Sequence, residues 1–259
     1  MRSGDSSLVF FTILSQWSVG IVVCLFGLSI LADAEWLAMV SNPYPVLLAL
    51  LLVVLATTAS FLHLGSPSNA PKAIRNLATS WLSREILAIG LFSISLAATL
   101  LQTWRSGEAA YATYLLACCT LTGLLLLWTM ARVYRIPTIP AWDSGHTPLG
   151  FTLTALCLGT MTCLLFDKSG VFGPDSRAFN FLAGFLVVVL LLELAAAILQ
   201  RRRLLKTDTG INGPTFDSGK WRGLFLVRMA LLLLSLLAML LLISRTGSFS
   251  GSLVLYWLC

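Results

Sequence analysis

The stretch FLAGFLVVVLLLELAAAILQRRR, residues 181–203, decides the fold. An apolar run of nearly twenty residues is broken only by Glu193, and three arginines close it. At about 1.5 Å of rise per residue, a helix of that length matches the roughly 30 Å hydrocarbon layer of a bilayer. A soluble domain has no use for such a segment, because its helices are apolar along one stripe only and polar residues cover the rest. The run Arg201, Arg202, Arg203 reads most simply as a flank that stops transfer at the membrane surface. A docking surface for a partner or for anionic lipid is the sharper alternative.

The rest of the chain has the same character. Of 259 residues, 58% are hydrophobic and 11% charged, and the mean hydropathy is +0.89. This predicts an all-α fold, a polytopic transmembrane helical bundle of about seven to eight spans. The spans fall near 8–31, 44–64, 83–103, 111–134, 148–166, 178–200 and 222–243, in a single integral membrane domain over 1–259. The short alternating segments of a β-barrel are absent from the sequence. The first span is longer than the apolar core of a secretory leader and is expected to be retained. The segment 251–259 is too short to cross. The connections leave no room for a soluble domain, so the expected surroundings are the bilayer and protein partners, with no nucleic acid.

Six cysteines, Cys24, Cys118, Cys119, Cys157, Cys163 and Cys259, form no C-x-x-C pair. They read as small residues packed between helices, and no iron–sulfur cluster is expected in this protein. Because spans alternate in direction, most basic residues fall on one face. Arg2, Lys72, Arg75, Arg84, Arg132, Arg135, Arg201, Arg202, Arg203, Lys206, Lys220 and Arg222 are there, against Arg105, Lys168, Arg177 and Arg245 on the other. By the positive-inside rule the richer face is cytoplasmic.

Ionisable groups within spans cost roughly 2.5–3.5 kcal/mol each on insertion scales and need a reason. Glu193 and Arg228 lie at similar depths in consecutive antiparallel spans, which predicts an ion pair. Gln16, His63, Glu85, Arg132, Tyr134, Asp143 and His146 gather toward the basic face, and the opposite half is almost bare. That distribution describes a pocket open from one face. A channel or pump would want polar groups at every depth, and a transporter a midplane site with broken helices.

The bland reading of the central pair is helix punctuation. Gly65 and Pro67 would end the second span with His63 in its last turn, and Ser83 would N-cap the third with Glu85 in its first turn. The sharp reading is a quinol site. A quinol must lose two protons with its two electrons; a neutral imidazole can take one from a hydroxyl, and a partly buried carboxylate can relay it outward. His63 and His146 share a face, but both sit at helix edges, whereas membrane haems are held within helices. No haem and no metal site are expected.

Two long motifs, FLHLGSPSNAPKAIRNLATSWLSREI at 61–86 and WTMARVYRIPTIPAWDSGHTPLGF at 128–151, resemble the membrane anchor subunit of the DMSO reductase family. FTILSQWSVG at 11–20 and ELAAA at 193–197 are similar too, in the same order. The resemblance implies a haem-free, multi-pass anchor of the bacterial inner membrane acting in anaerobic respiration. Such an anchor binds menaquinol as substrate and passes electrons to an iron–sulfur electron-transfer subunit. That subunit feeds a molybdopterin catalytic subunit that reduces S-oxides or N-oxides. It places the family's functional histidine at His63 and its functional glutamate at Glu85. Gln16, Ser66, Arg75, Arg132, Tyr134 and Trp142 complete the candidate quinol-binding set. The protein itself would be a non-catalytic anchor and the quinol-oxidising subunit of an oxidoreductase complex. The resemblance also implies an eighth span, of which LLISRTGSFSGSLVLYWLC at 241–259 is a weak echo. It further implies exported partners that dock outside, on the face that the charge count puts inside. A secondary transporter or channel and a purely structural anchor remain as alternatives.

Overall fold

The computed structural model describes residues 3–31, 40–63, 76–105, 109–136, 138, 142–168, 177–207 and 219–245. Among them there are no strands and seven long helices: α1 (Ser3–Ile30), α2 (Pro43–His63), α3 (Trp81–Arg105), α4 (Ala109–Tyr134), α5 (His146–Lys168), α6 (Arg177–Thr207) and α7 (Gly219–Arg245). Each contains a stretch long and apolar enough to cross a membrane, 19 to 27 residues in length. The all-α, polytopic class expected from composition is therefore the class observed. The segment 251–259, on which an eighth span would depend, lies outside the described residues.

The chain divides into two compact units, Met1–Ala178 and Phe179–Cys259. In the first, α2, α3, α4 and α5 are successive neighbours, and α5 touches α2 to close the ring. The inner helix is α1, which packs against α2, α4 and α5. Its sequence explains the position. Ser15, Ser18, Val19, Gly20, Ile21 and Val22 are all buried, and small side chains let neighbouring backbones approach. The closest approach is to α5. A Cβ added to Gly20 would overlap the carbonyl oxygen of Ala155, and one on Gly159 would overlap the carbonyl carbon of Gly20. Polar side chains then tie the helices where apolar contact alone is indifferent between protein and lipid. Trp17 Nε1 donates to Thr162 Oγ1 at 2.7 Å, and Ser18 Oγ donates to the Ala49 carbonyl at 2.7 Å. Two thiols join in, Cys24 Sγ to Thr160 Oγ1 at 3.2 Å and Cys119 Sγ to Thr99 Oγ1 at 3.1 Å, which gives these cysteines the packing role expected of them.

In the second unit Arg228 Nη2 of α7 donates to Glu193 Oε1 of α6, so the ion pair expected from equal depth is present. Nearer the basic end, the Arg201 guanidinium lies 4.4 Å from the centroid of the Phe225 ring. Glu193→Leu leaves Arg228 without its counter-ion and is expected to destabilise the protein by about 3 kcal/mol. The double change Glu193→Leu with Arg228→Leu should cost less than the single one. Thermal unfolding of the three proteins in lipid nanodiscs checks this; equal losses for single and double variants would mean that the pair contributes nothing.

Candidate functional site

Helix α3 packs on α2 and α4 rather than on α1. Where it stands away from α1, a cavity of about 100 Å³ remains between the three helices. Phe11 of α1, Thr57, Ser60 and Phe61 of α2, and Leu82, Glu85, Ile86 and Ile89 of α3 line it. The α3 residues follow helical periodicity, with 82, 85, 86 and 89 on one face. Glu85 is 5% exposed, and its Oε1 is buried with no hydrogen-bond partner among the described residues. Buried carboxylate oxygens without a partner are costly, so this group calls for an explanation other than packing.

The start of α3 corrects the punctuation expected from sequence. The N-cap is Ser80, not Ser83: the Ser83 N–H donates to Ser80 Oγ at 3.3 Å, and the Arg84 N–H donates to the Ser80 carbonyl at 3.3 Å. Trp81 is therefore the first helical residue and Glu85 the fifth, beyond the first turn where a helix dipole favours a carboxylate. The turn at residues 76–80 makes this possible, because the Thr79 and Ser80 N–H groups both donate to the Asn76 carbonyl. Helix punctuation then no longer accounts for Glu85.

His63 is the last residue of α2, three positions after Ser60, and its side chain lies outside the described residues. Ser66 and Arg75, and the Gly65 and Pro67 helix stop, also lie outside them. Gln16 is buried in α1 but does not line the cavity. Arg132 stands over the Trp81 ring, 4.5 Å from its centroid. Tyr134 reaches α1, where its hydroxyl is 2.6 Å from Thr12 Oγ1, and Thr12 in turn donates to the Leu8 carbonyl at 2.7 Å. The Tyr134 ring meets Phe151 edge-on at 5.4 Å and Trp142 at 6.0 Å. Tyr134, Trp142 and Phe151 thus form one aromatic group, tied to α1 at Thr12, the residue that follows the cavity-lining Phe11. Asp143 pairs with Arg135 at 3.2 Å, and His146 opens α5 with its Nδ1 buried and unpartnered among the described residues. Tyr134→Phe removes a hydrogen bond between α1 and α4 worth about 1 kcal/mol. A fall in Tm of about 2–4 °C is expected for a protein of this size, and an unchanged Tm would show the contact to be idle.

Sequence reasoning missed the cavity's neutral lining: Phe11, Thr57, Ser60, Phe61, Leu82, Ile86 and Ile89. Helical spacing could have found part of it, since Thr57 and Ser60 lie within two turns before His63, and Leu82, Ile86 and Ile89 flank Glu85 at short helical steps. Phe11 could not be found that way, because it depends on which helix is central.

The fold and the site together define a polytopic helical membrane protein with a largely apolar cavity that holds one buried carboxylate. The family profile described as "DMSO reductase anchor subunit (DmsC)" matches residues 1–258, and the protein belongs to that family. The C subunit of the anaerobic dimethyl sulfoxide reductase of Escherichia coli (strain K12) is 29% identical over 187 residues, covering 71% of this sequence and 57% of the relative. The YnfH subunit of an anaerobic dimethyl sulfoxide reductase from the same organism is 33% identical, covering 59% of this sequence and 54% of the relative. The C subunit of the Haemophilus influenzae enzyme is 32% identical, covering 60% and 55%. The matches thus span little more than half the length of these curated relatives. No solved structure matches the protein.

Proposed function

We propose that this protein is the membrane anchor of a DMSO reductase-type complex in a bacterial inner membrane, and that it oxidises menaquinol at the cavity between α1, α2 and α3. One observation carries the quinol reading: Glu85 keeps a buried carboxylate oxygen, unpartnered among the described residues, on the wall of a cavity that is otherwise apolar apart from Thr57 and Ser60. An aromatic head group needs apolar walls, and its hydroxyl needs an acceptor; this site offers both. An apolar cavity of about 150 Å³ holds a single benzene ring, so a hollow of about 100 Å³ seats the reacting edge of a bicyclic quinol. The remainder would lie between Phe61 and Leu82, which are 43% and 54% exposed.

Oxidation of the quinol to the quinone releases two protons and two electrons. Glu85 accepts the two hydroxyl protons in succession, relaying the first toward the nearby helix ends before it takes the second. His63, at the end of α2 one turn past Ser60, orients the hydroxyl and takes part in the same transfer. The electrons pass to an iron–sulfur cluster in a partner subunit and from there to a molybdopterin subunit that reduces an S-oxide or N-oxide. Family membership supports the partners, and Glu85 supports the donor.

Co-purification from the native membrane tests the assembly. The expected result is a complex containing iron and molybdenum that oxidises a menaquinol analogue. A protein that purifies alone, or flux of small solutes through vesicles holding it, would overturn the reading.

A further inference from the structure

A second polar cluster lies where α3 begins and α4 ends, beside the quinol cavity but not part of its wall. Two guanidinium groups share one indole. The Arg84 carbon is 4.1 Å from the centroid of the Trp81 ring and the Arg132 carbon 4.5 Å, so the two charges are no farther apart than those distances together allow. Arg84 is fixed in place: Nε donates to the Leu77 carbonyl and Nη2 to the Ala78 carbonyl, both at 2.8 Å. The indole face attracts each cation, but it does not remove their mutual repulsion. Neither arginine takes part in an ion pair among the described residues. Of the nearby carboxylates, Asp143 is committed to Arg135, and Glu85 is turned to the cavity. The positive end of the α3 dipole lies here too.

Below this cluster α4 presents an apolar stripe at helical spacing. Leu121, Leu125 and Trp128 precede Arg132 by eleven, seven and four residues and are 69%, 44% and 52% exposed. A cationic pair at the end of two membrane spans, with a tryptophan at interfacial depth and an exposed apolar stripe running inward from it, has the layout of a lipid: charge at the head, hydrocarbon beneath.

We propose that Trp81, Arg84 and Arg132 bind the phosphate of an anionic phospholipid whose acyl tail lies along Leu121, Leu125 and Trp128. Arginine suits the task, since its planar fork can offer two parallel N–H bonds to phosphate oxygens while its face stays on the indole. The fit to lipid rather than to a protein carboxylate rests on the stripe, which an acidic side chain would leave uncovered.

The test uses the full-length protein in neutral detergent, titrated with phosphatidylglycerol, phosphatidylcholine or inorganic phosphate and read by native mass spectrometry. Phosphatidylglycerol adducts should exceed those of phosphatidylcholine, and Arg84→Gln and Arg132→Gln should each lower them about five-fold. Arg132→Lys should retain a good part of the binding, and Trp128→Ser should weaken it from the hydrocarbon side without touching the cations. Millimolar inorganic phosphate should not displace the lipid. Equal adducts of the two lipids on the unaltered protein would overturn the proposal without reference to any variant. So would full displacement by inorganic phosphate, which would make this a site for free anions. Unchanged lipid with loss of the reductase subunits from the arginine variants would assign the pair to protein docking instead.

Discussion

Replacing Glu85 by glutamine should abolish menaquinol oxidation, with a loss of about 10²–10⁴-fold, the usual contribution of a positioned proton acceptor. The substitution keeps the shape and leaves an amide on the cavity wall, so the protein should still insert and assemble. The decisive comparison uses two electron donors on the same membranes. On the proposed reading a menaquinol analogue loses its protons at the anchor, whereas a reduced viologen dye would deliver electrons directly to the catalytic subunits. Quinol-driven reduction of the S-oxide or N-oxide should collapse while dye-driven reduction stays within about two-fold of normal, since no proton step at the anchor is involved. If quinol-driven turnover survives Glu85→Gln, the cavity is not the oxidation site. If both activities fall together, Glu85 has a structural role. Ser60→Ala should give a smaller and different effect. It removes a cavity hydroxyl that no hydrogen bond among the described residues uses, unlike the hydroxyls of Thr57 and Thr58, which donate to the Val53 and Val54 carbonyls. A weaker apparent affinity for the quinol with little change in maximal rate is expected.

The largest effect on stability should come from Gly20→Leu. The added Cβ alone would overlap a backbone oxygen of α5, and backbone cannot swing aside as the end of a flexible side group does. Relief requires α1 and α5 to separate, which also breaks the bonds from Trp17 to Thr162 and from Cys24 to Thr160. Overpacking within a core typically costs about 1–3 kcal/mol. Here a helix-to-helix interface must open, and the expected outcome is failure to accumulate in the membrane. Gly159→Leu should do the same from the other side. Gly90, whose Cβ would meet nothing within 4 Å, is the control: Gly90→Ala should be neutral or slightly stabilising. Membrane yield and the thermal unfolding of whatever can be solubilised would decide the matter. A normally accumulating Gly20→Leu protein would contradict the close approach.

The helices were legible because bilayer thickness imposes a length and hydropathy pattern that no other environment demands. Glu193 and Arg228 could be paired from sequence because consecutive spans are antiparallel and depth can be counted residue by residue. The same counting brought Glu85 to the basic side. It could not place Ser80 as the cap of α3, because Ser80 and Ser83 are chemically equivalent candidates and the turn from Asn76 chooses between them. Nor could it show that Arg132 leans on Trp81, or that Tyr134 reaches Thr12, since those contacts depend on which helices adjoin. Hydropathy reports depth and is silent about azimuth. The cavity's apolar lining was hidden for the same reason: a leucine facing a cavity and a leucine facing a lipid tail are written alike.

The inner position of α1 sets an order on biogenesis. Gly20 is synthesised well before the backbone that meets it, which belongs to Ala155 and Gly159 of α5. At a synthesis rate of about 5–20 residues per second, the first helix must wait on the order of ten seconds for that neighbour. Through that interval the bare Gly20 backbone and the side chains of Trp17 and Cys24 lack the α5 groups they meet in the finished fold. Nascent polypeptides arrested before α5 should therefore be the most vulnerable to membrane proteases, and arrest just beyond it should confer sudden protection.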